Sequence, residues 1–150
     1  MQFMSVSRQE AEKVFIVVEN NEGAALLPGV VCEMSITTTD ADQGHLVEVV
    51  DVAVNATTGI AAPVAGVVDS TIATGEVGRL QVYGPATVRA SAALAAGRLA
   101  VATSAGLAPT GCVTADVQTT TTTAAYARAS LGFCLESVNA TQCRVQLQLM

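Results

Sequence analysis

The chain has 150 residues, of which 51% are hydrophobic and 13% charged, with a formal net charge of −6. That length suits one self-sufficient domain, which buries roughly 70% of the surface its unfolded form exposes, and so apolar a composition excludes disorder. The acidic balance and the scarcity of aromatic rings (3%) exclude nucleic-acid binding as the main role, because that role needs a basic footprint or a stacking platform.

Along the chain, Ser7 to Glu12 begins like a capping box, but the β-branched and aromatic run Val14-Phe15-Ile16-Val17-Val18 that follows favours a strand. Asn20-Asn21-Glu22-Gly23 reads as a turn, and Pro28-Gly29 punctuates the approach to a strand over Val30 to Met34. Leu46 to Asn55 is a strong strand candidate, and Ala65 to Val68 follows Pro63 as another. Gly78 to Tyr83 alternates, with Leu80 and Val82 on one face and Arg79, Gln81 and Tyr83 on the other. Gly84-Pro85 then marks a break before a short strand over Thr87 to Ala90. One short helical turn is expected near Ser91 to Ala96, where alanine is dense. Leu99 to Ala102, Gly132 to Glu136 and Arg144 to Leu149 complete the set. The last is the clearest, with Val145, Leu147 and Leu149 on one face and Arg144, Gln146 and Gln148 on the other, the mark of a half-buried antiparallel strand.

Many short strands with glycine and proline turns predict an all-β fold: a small antiparallel β-barrel or sandwich forming a single β domain over residues 1–150. Residues 1–20 supply an extended N-terminal segment and the first strand. Residues 113–129 hold Thr119 to Thr123, five threonines in succession, which favour extended structure but lack core-forming bulk. They read either as a surface loop or as a Thr-rich hairpin arm that orders on a partner. Because the apolar residues are mainly alanine and valine and Trp is absent, the core must come from close backbone packing or from a partner's surface.

The chemistry of catalysis is missing. His45, the only histidine, follows Gln43-Gly44 in a turn and has no serine elbow to work with. Gly75-Glu76-Val77-Gly78 has no phosphate-loop lysine, and Lys13, the only lysine, is wrongly placed for a carrier domain. Asp40 and Asp42 read as solvated loop residues, since the sequence around them does not fit a calcium loop or an aromatic-lined sugar cleft. Cys32, Cys112, Cys134 and Cys143 lack zinc-site spacing and are expected as buried free thiols. No catalytic, cofactor or metal site is expected; an enzyme using His45 or Cys134 is the weakest alternative. No stretch approaches the roughly 18–20 uncharged apolar residues of a membrane helix, and Met1 to Ser7 lacks the cationic start of a signal peptide, so synthesis in the cytosol is expected.

The order of several stretches resembles the capsid cement, or head decoration, proteins of tailed bacteriophages. These stretches are Asn21 to Val31 (NEGAALLPGVV), Ala65 to Asp69 (AGVVD), Thr74 to Gly84 (TGEVGRLQVYG), Leu94 to Val101 (LAAGRLAV) and Leu131 to Glu136 (LGFCLE). The Thr-rich segment from Val113 to Ala129 and the Ser35 to Gly44 loop depart from that pattern, so no partner contacts carry over to them. The resemblance implies a small β-barrel-like fold that binds the major capsid protein on the outer surface of the expanded head. It also implies bridging of neighbouring capsomers, assembly as a homodimer or homotrimer, and no role for membrane or nucleic acid. Met1 to Val18 and the Thr-rich arm are the expected contact elements. A tail- or fibre-associated β module that binds a receptor or glycan is the alternative.

Overall fold

The structure, a computed structural model, describes residues 12–34, 47–51, 64–102, 113–115 and 130–149. Nine strands run through them: β1 (Val14–Asn20), β2 (Val31–Met34), β3 (Val47–Asp51), β4 (Val64–Val68), β5 (Val77–Arg89), β6 (Leu99–Ala102), β7 (Val113–Ala115), β8 (Ser130–Asn139) and β9 (Gln142–Gln148). No helix occurs among the described residues, and the all-β class predicted from the strand-and-turn pattern is the one the chain adopts. The expected helical turn near Ser91 to Ala96 is absent; bends and a turn at Ala96-Gly97 occupy that stretch and lead into β6.

The strands hydrogen-bond in the order β1-β3-β2-β4-β5-β9-β8-β6-β7, and β1 also pairs with β5. That extra pairing joins β1, β3, β2, β4 and β5 into a closed ring, a small barrel. The remaining strands continue from β5 as an open sheet. Every pairing is antiparallel except β1 with β3, where Val18 lies opposite Val47. Closure of this kind removes the exposed edges that an open sheet would leave on those strands.

Two cores follow from this arrangement. Val18, Cys32, Ala65, Val68 and Leu80 pack together from the barrel strands, and Leu26, Val30 and Ile72 join them from the loops. Leu26 and Ile72 exchange backbone hydrogen bonds of 2.9 and 3.0 Å. The second core gathers Val31 and Val67 of β2 and β4 against Ala86 and Val88 of β5, Leu131 and Cys134 of β8, and Val145 and Leu147 of β9. Neighbours Val31 and Cys32 therefore serve different cores, as do Val67 and Val68, so β2 and β4 form a wall buried on both faces. Alanines 86, 90, 100 and 102 in the second core let the layers approach closely, as the composition requires. Cys32, Cys134 and Cys143 form no disulfide and are buried.

β5 is the strand common to both halves. Its first part pairs with β1 and β4, and its second part, from Tyr83 to Arg89, pairs with β9. Gly84-Pro85 was expected to end a strand; instead the strand runs through them and changes partners there. Gly84 has φ of 91° and lies so close to the backbone carbonyl of Glu12 that a Cβ would collide with it. Only glycine combines that φ with that approach. Gln81 was expected on the outer face of the strand but is buried: its Nε2 donates to the carbonyls of Tyr83 and Pro85, both at 3.0 Å, and so holds the chain on either side of Gly84. Gln81 does face away from Leu80, but that side is covered as well: its register partner Val67 belongs to the second core, while Leu80 belongs to the first.

Asn20, at the end of β1, plays a similar part for the loops. Its Nδ2 donates to the carbonyls of Ala24 (2.9 Å) and Ile72 (3.0 Å), and its Oδ1 accepts from the Glu22 amide (2.8 Å). The Gly75 amide donates to its carbonyl (2.8 Å), which ties the Thr74-Gly75 turn to β1. The Gly75 amide, one that a phosphate would have needed, is thus spent on β1.

Two predictions follow from these contacts. Gly84→Ala should lower unfolding stability by about 2–3 kcal/mol, the combined effect of positive φ and the clash with Glu12. Gln81→Leu should cost about 2 kcal/mol by leaving two carbonyls without their donor. Denaturant unfolding with an unchanged m-value would show both; a loss under half a kilocalorie at Gly84 would mean the strand can bend without glycine.

Candidate interaction surface

The open sheet has one face on the second core and one face outward, and the outward face carries the candidate site. The cross-strand register sets Pro85 of β5 opposite Gln146 of β9, Gln146 opposite Phe133 of β8, and Phe133 opposite Leu99 of β6. Directly opposed residues project from the same side of a sheet. One row across four strands therefore reads Pro85, Gln146, Phe133, Leu99. Beside it run Tyr83 opposite Gln148 and, on the other side, Thr87 opposite Arg144 and Arg144 opposite Glu136.

Phe133 is 50% exposed, and on the same strand Leu135 is 45% and Val138 51% exposed. Regular alternation does not account for all three. The β8–β9 register shifts between Cys134 and Glu136 and again between Ser137 and Asn139, so Leu135 and Val138 are the extra residues of two bulges. A bulge leaves its extra residue unpaired and re-aims its side chain. The result is a strand that keeps Leu131 and Cys134 in the core while presenting three large apolar side chains to solvent. Arg144 and Glu136 form an exposed ion pair at 3.4 Å on this face, and glutamines fill much of the remainder, so the apolar side chains have a nearly neutral surround.

A smaller apolar pair lies on the barrel, where Val17 and Val77 are exposed. Near them Arg79 is held by Asp69 at 3.0 Å and stacks over the Phe15 ring at 5.1 Å from its centroid. The ion pair and the ring fix the Arg79 side chain as part of the barrel wall.

Among the described residues no three His, Cys, Asp or Glu side chains converge as a metal site would require. Cys134, the weak nucleophile candidate, is buried beside the second core with its Sγ 3.6 Å from the Leu94 carbonyl. Lys13 lies just before β1. His45, Asp40, Asp42, Cys112, Met1 to Ser7 and the five threonines from Thr119 all lie outside the described residues. Of the Thr-rich stretch, Val113–Ala115 is the strand β7, paired with β6 at the end of the open sheet. Phe133 and Leu135 were part of a quoted stretch but were not singled out by sequence reasoning, because no local signal marks a bulge whose register depends on β9.

Two measurements bear on this surface. Phe133→Gln should change stability by no more than about 0.5 kcal/mol, since an exposed side chain away from the core contributes little to folding. Cys32, Cys134 and Cys143 should resist alkylation in the native protein and react fully in denaturant, as peptide mapping would show. Rapid native labelling of any of the three would contradict the packing around it.

No protein-family model matches the chain, and no curated protein matches it in sequence. Its fold is nevertheless similar to solved phage structures over nearly its whole length. The head fiber gp8.5 N base of bacteriophage phi29 matches with a TM-score of 0.55 over 92% of this chain and 96% of that one, at 10% sequence identity. A chain of the capsid of Myoviridae phage XM1 matches with a TM-score of 0.53 over 97% of this chain and 98% of that one, at 14% identity. At these identities the likeness is one of fold: the all-β fold built here is one found in structures of phage heads.

Proposed function

We propose that the chain is a cement, or decoration, protein that lies on the outer surface of a tailed-phage head, binds the major capsid protein and bridges neighbouring capsomers of the expanded shell. The observation that carries this reading is the fold shared, over nearly the whole chain, with two structures from phage heads. The physics of the molecule agrees with it. A barrel continuous with an open sheet is a stiff body, and the Phe133, Leu135 and Val138 face offers an apolar contact surface with little net charge. Each copy needs only modest affinity, because many copies on one shell act together. Residues 1–18 and the Thr-rich arm add contacts at the rim, and the chain forms a homodimer or homotrimer to match the capsid's symmetry axes.

A second reading draws on the likeness to the N base of a head fiber: a fibre-associated module whose partner is a further fibre segment, or whose target is a receptor or glycan. The two readings differ in what the purified chain binds.

Purified protein mixed with expanded heads should co-sediment to a fixed stoichiometry, and unexpanded shells should take up little. Phe133→Asp combined with Leu135→Asp should weaken binding about tenfold or more while the protein stays folded, as expected for apolar anchors at the centre of an interface. Equal binding to both shell forms, or none to either, would remove the cement reading. Deletion of Met1 to Ser7 with no change in uptake would remove the N-terminal segment from the contact set.

A further inference from the structure

Beside β5 the molecule carries a cleft of about 220 Å³, lined by none of Phe133, Leu135 and Val138. It opens because β4 leaves β5 early. The two strands are in register only at Val67 with Gln81 and Val68 with Leu80, and the chain regains β5 at the Pro28-Gly29 turn, where the Arg89 amide donates to the Gly29 carbonyl at 2.8 Å. Gly29 has φ of 82°, and a Cβ there would press on the Thr87 carbonyl at 3.2 Å, so the turn is held tight against the strand.

The charges around this cleft are unusual for so acidic a chain. Of its seven Lys and Arg residues, Lys13 and Arg89 both line the cleft. Among the described residues neither has an ion-pair partner, whereas Arg79 and Arg144 both have one. Asp69 is the one carboxylate lining the cleft, and Arg79 already engages it at 3.0 Å. Two cations without an ion-pair partner among the described residues focus a positive field in a small concave space.

We propose that this cleft receives the carboxylate of an acidic side chain from a polypeptide partner. Size, charge and edge chemistry each narrow the occupant. The volume falls below the roughly 300 Å³ at which small-molecule and cofactor sites begin. Lys13 and Arg89 attract an anion, while the Asp69 carboxylate in the same lining opposes the second negative charge of a phosphate. The guanidinium of Arg89 offers paired donors that match a carboxylate, with the Thr87 hydroxyl beside it as a neutral donor. Strand addition along this stretch is disfavoured, since Pro85 has no N–H and Gln81 already occupies the carbonyls of Tyr83 and Pro85. The partner therefore enters by a side chain. The inference stands on the cleft alone and holds whether or not the chain decorates a capsid.

The test is an amide chemical-shift titration of the full-length protein with a blocked tripeptide bearing one glutamate, with its glutamine counterpart and with inorganic phosphate. The amides of Gly29, Thr87 and Arg89 should move saturably with the glutamate peptide, more weakly with phosphate and not with the glutamine peptide. Arg89→Gln should weaken the effect about tenfold, the worth of a hydrogen bond to a charged group, and Lys13→Gln should weaken it with no change in fold. Absence of saturable shifts, equal response to the glutamine peptide, tighter binding of phosphate, or indifference to both substitutions would each overturn the assignment.

Discussion

The architecture depends on one strand serving two sheets. β5 has 13 residues, long enough to complete a barrel with its first half and to start an open sheet with its second. β1 lies along one edge of β5, and on the other edge β4 at Leu80 and Gln81 gives way to β9 from Tyr83 onward. The handover falls at Gly84, whose φ is 91°, and there the Gln81 amide donates to the carbonyls of Tyr83 and Pro85. Among the described residues the two buried polar side chains, Asn20 and Gln81, both bond to backbone carbonyls. The apolar residues fill the cores, while these two amides determine where the strands turn.

The same logic explains why the molecule has two cores and one wall. β2 and β4 are short, and each places successive valines or a valine and a cysteine on opposite sides. A wall buried on both faces needs no polar alternation, which is why Val64–Val68 contains no charged or hydrogen-bonding side chain. Small side chains are sufficient here because both faces of the strand contribute. The alanine- and valine-rich composition is thus the composition of thin layers packed closely, and the larger apolar side chains of β8 remain available for the surface.

The sequence disclosed the parts that obey local rules. The alternation of β9 is read directly from Arg144 to Gln148, and its buried residues, Val145 and Leu147, are the ones the pattern places inward. The starts of β2 and β6 follow the turns at Pro28-Gly29 and Gly97, and that of β4 follows Pro63, all of which any reader of the chain can mark. What escaped was set by residues distant in sequence. Gly84-Pro85 looks like a terminator until Glu12 and β9 are seen on either side of it. Gln81 looks like a surface residue until Val67 and the second core are seen on its side of the strand. In the candidate contact face, the apolar character of Phe133 and Leu135 was visible, but their joint exposure was not, because it depends on two bulges defined against β9. The positive cleft was the least legible feature, since it brings Lys13 together with Arg89 across 76 positions of sequence.

The ring that closes the barrel also has a temporal side. Val14–Asn20 finds its antiparallel partner only in Val77–Arg89, and Ser130–Asn139 must arrive before the second core has a lid. Four pairings join consecutive strands (β2–β3, β4–β5, β6–β7 and β8–β9), but the ring closes only through β1 with β5, and the open sheet starts only when β9 reaches β5. Chains with such distant pairings search slowly for their native state, and their early strands wait unpaired during synthesis. A polypeptide of this design gains from low aromatic content and short strands in the interim, since both blunt its tendency to adhere to its own copies before the barrel shuts.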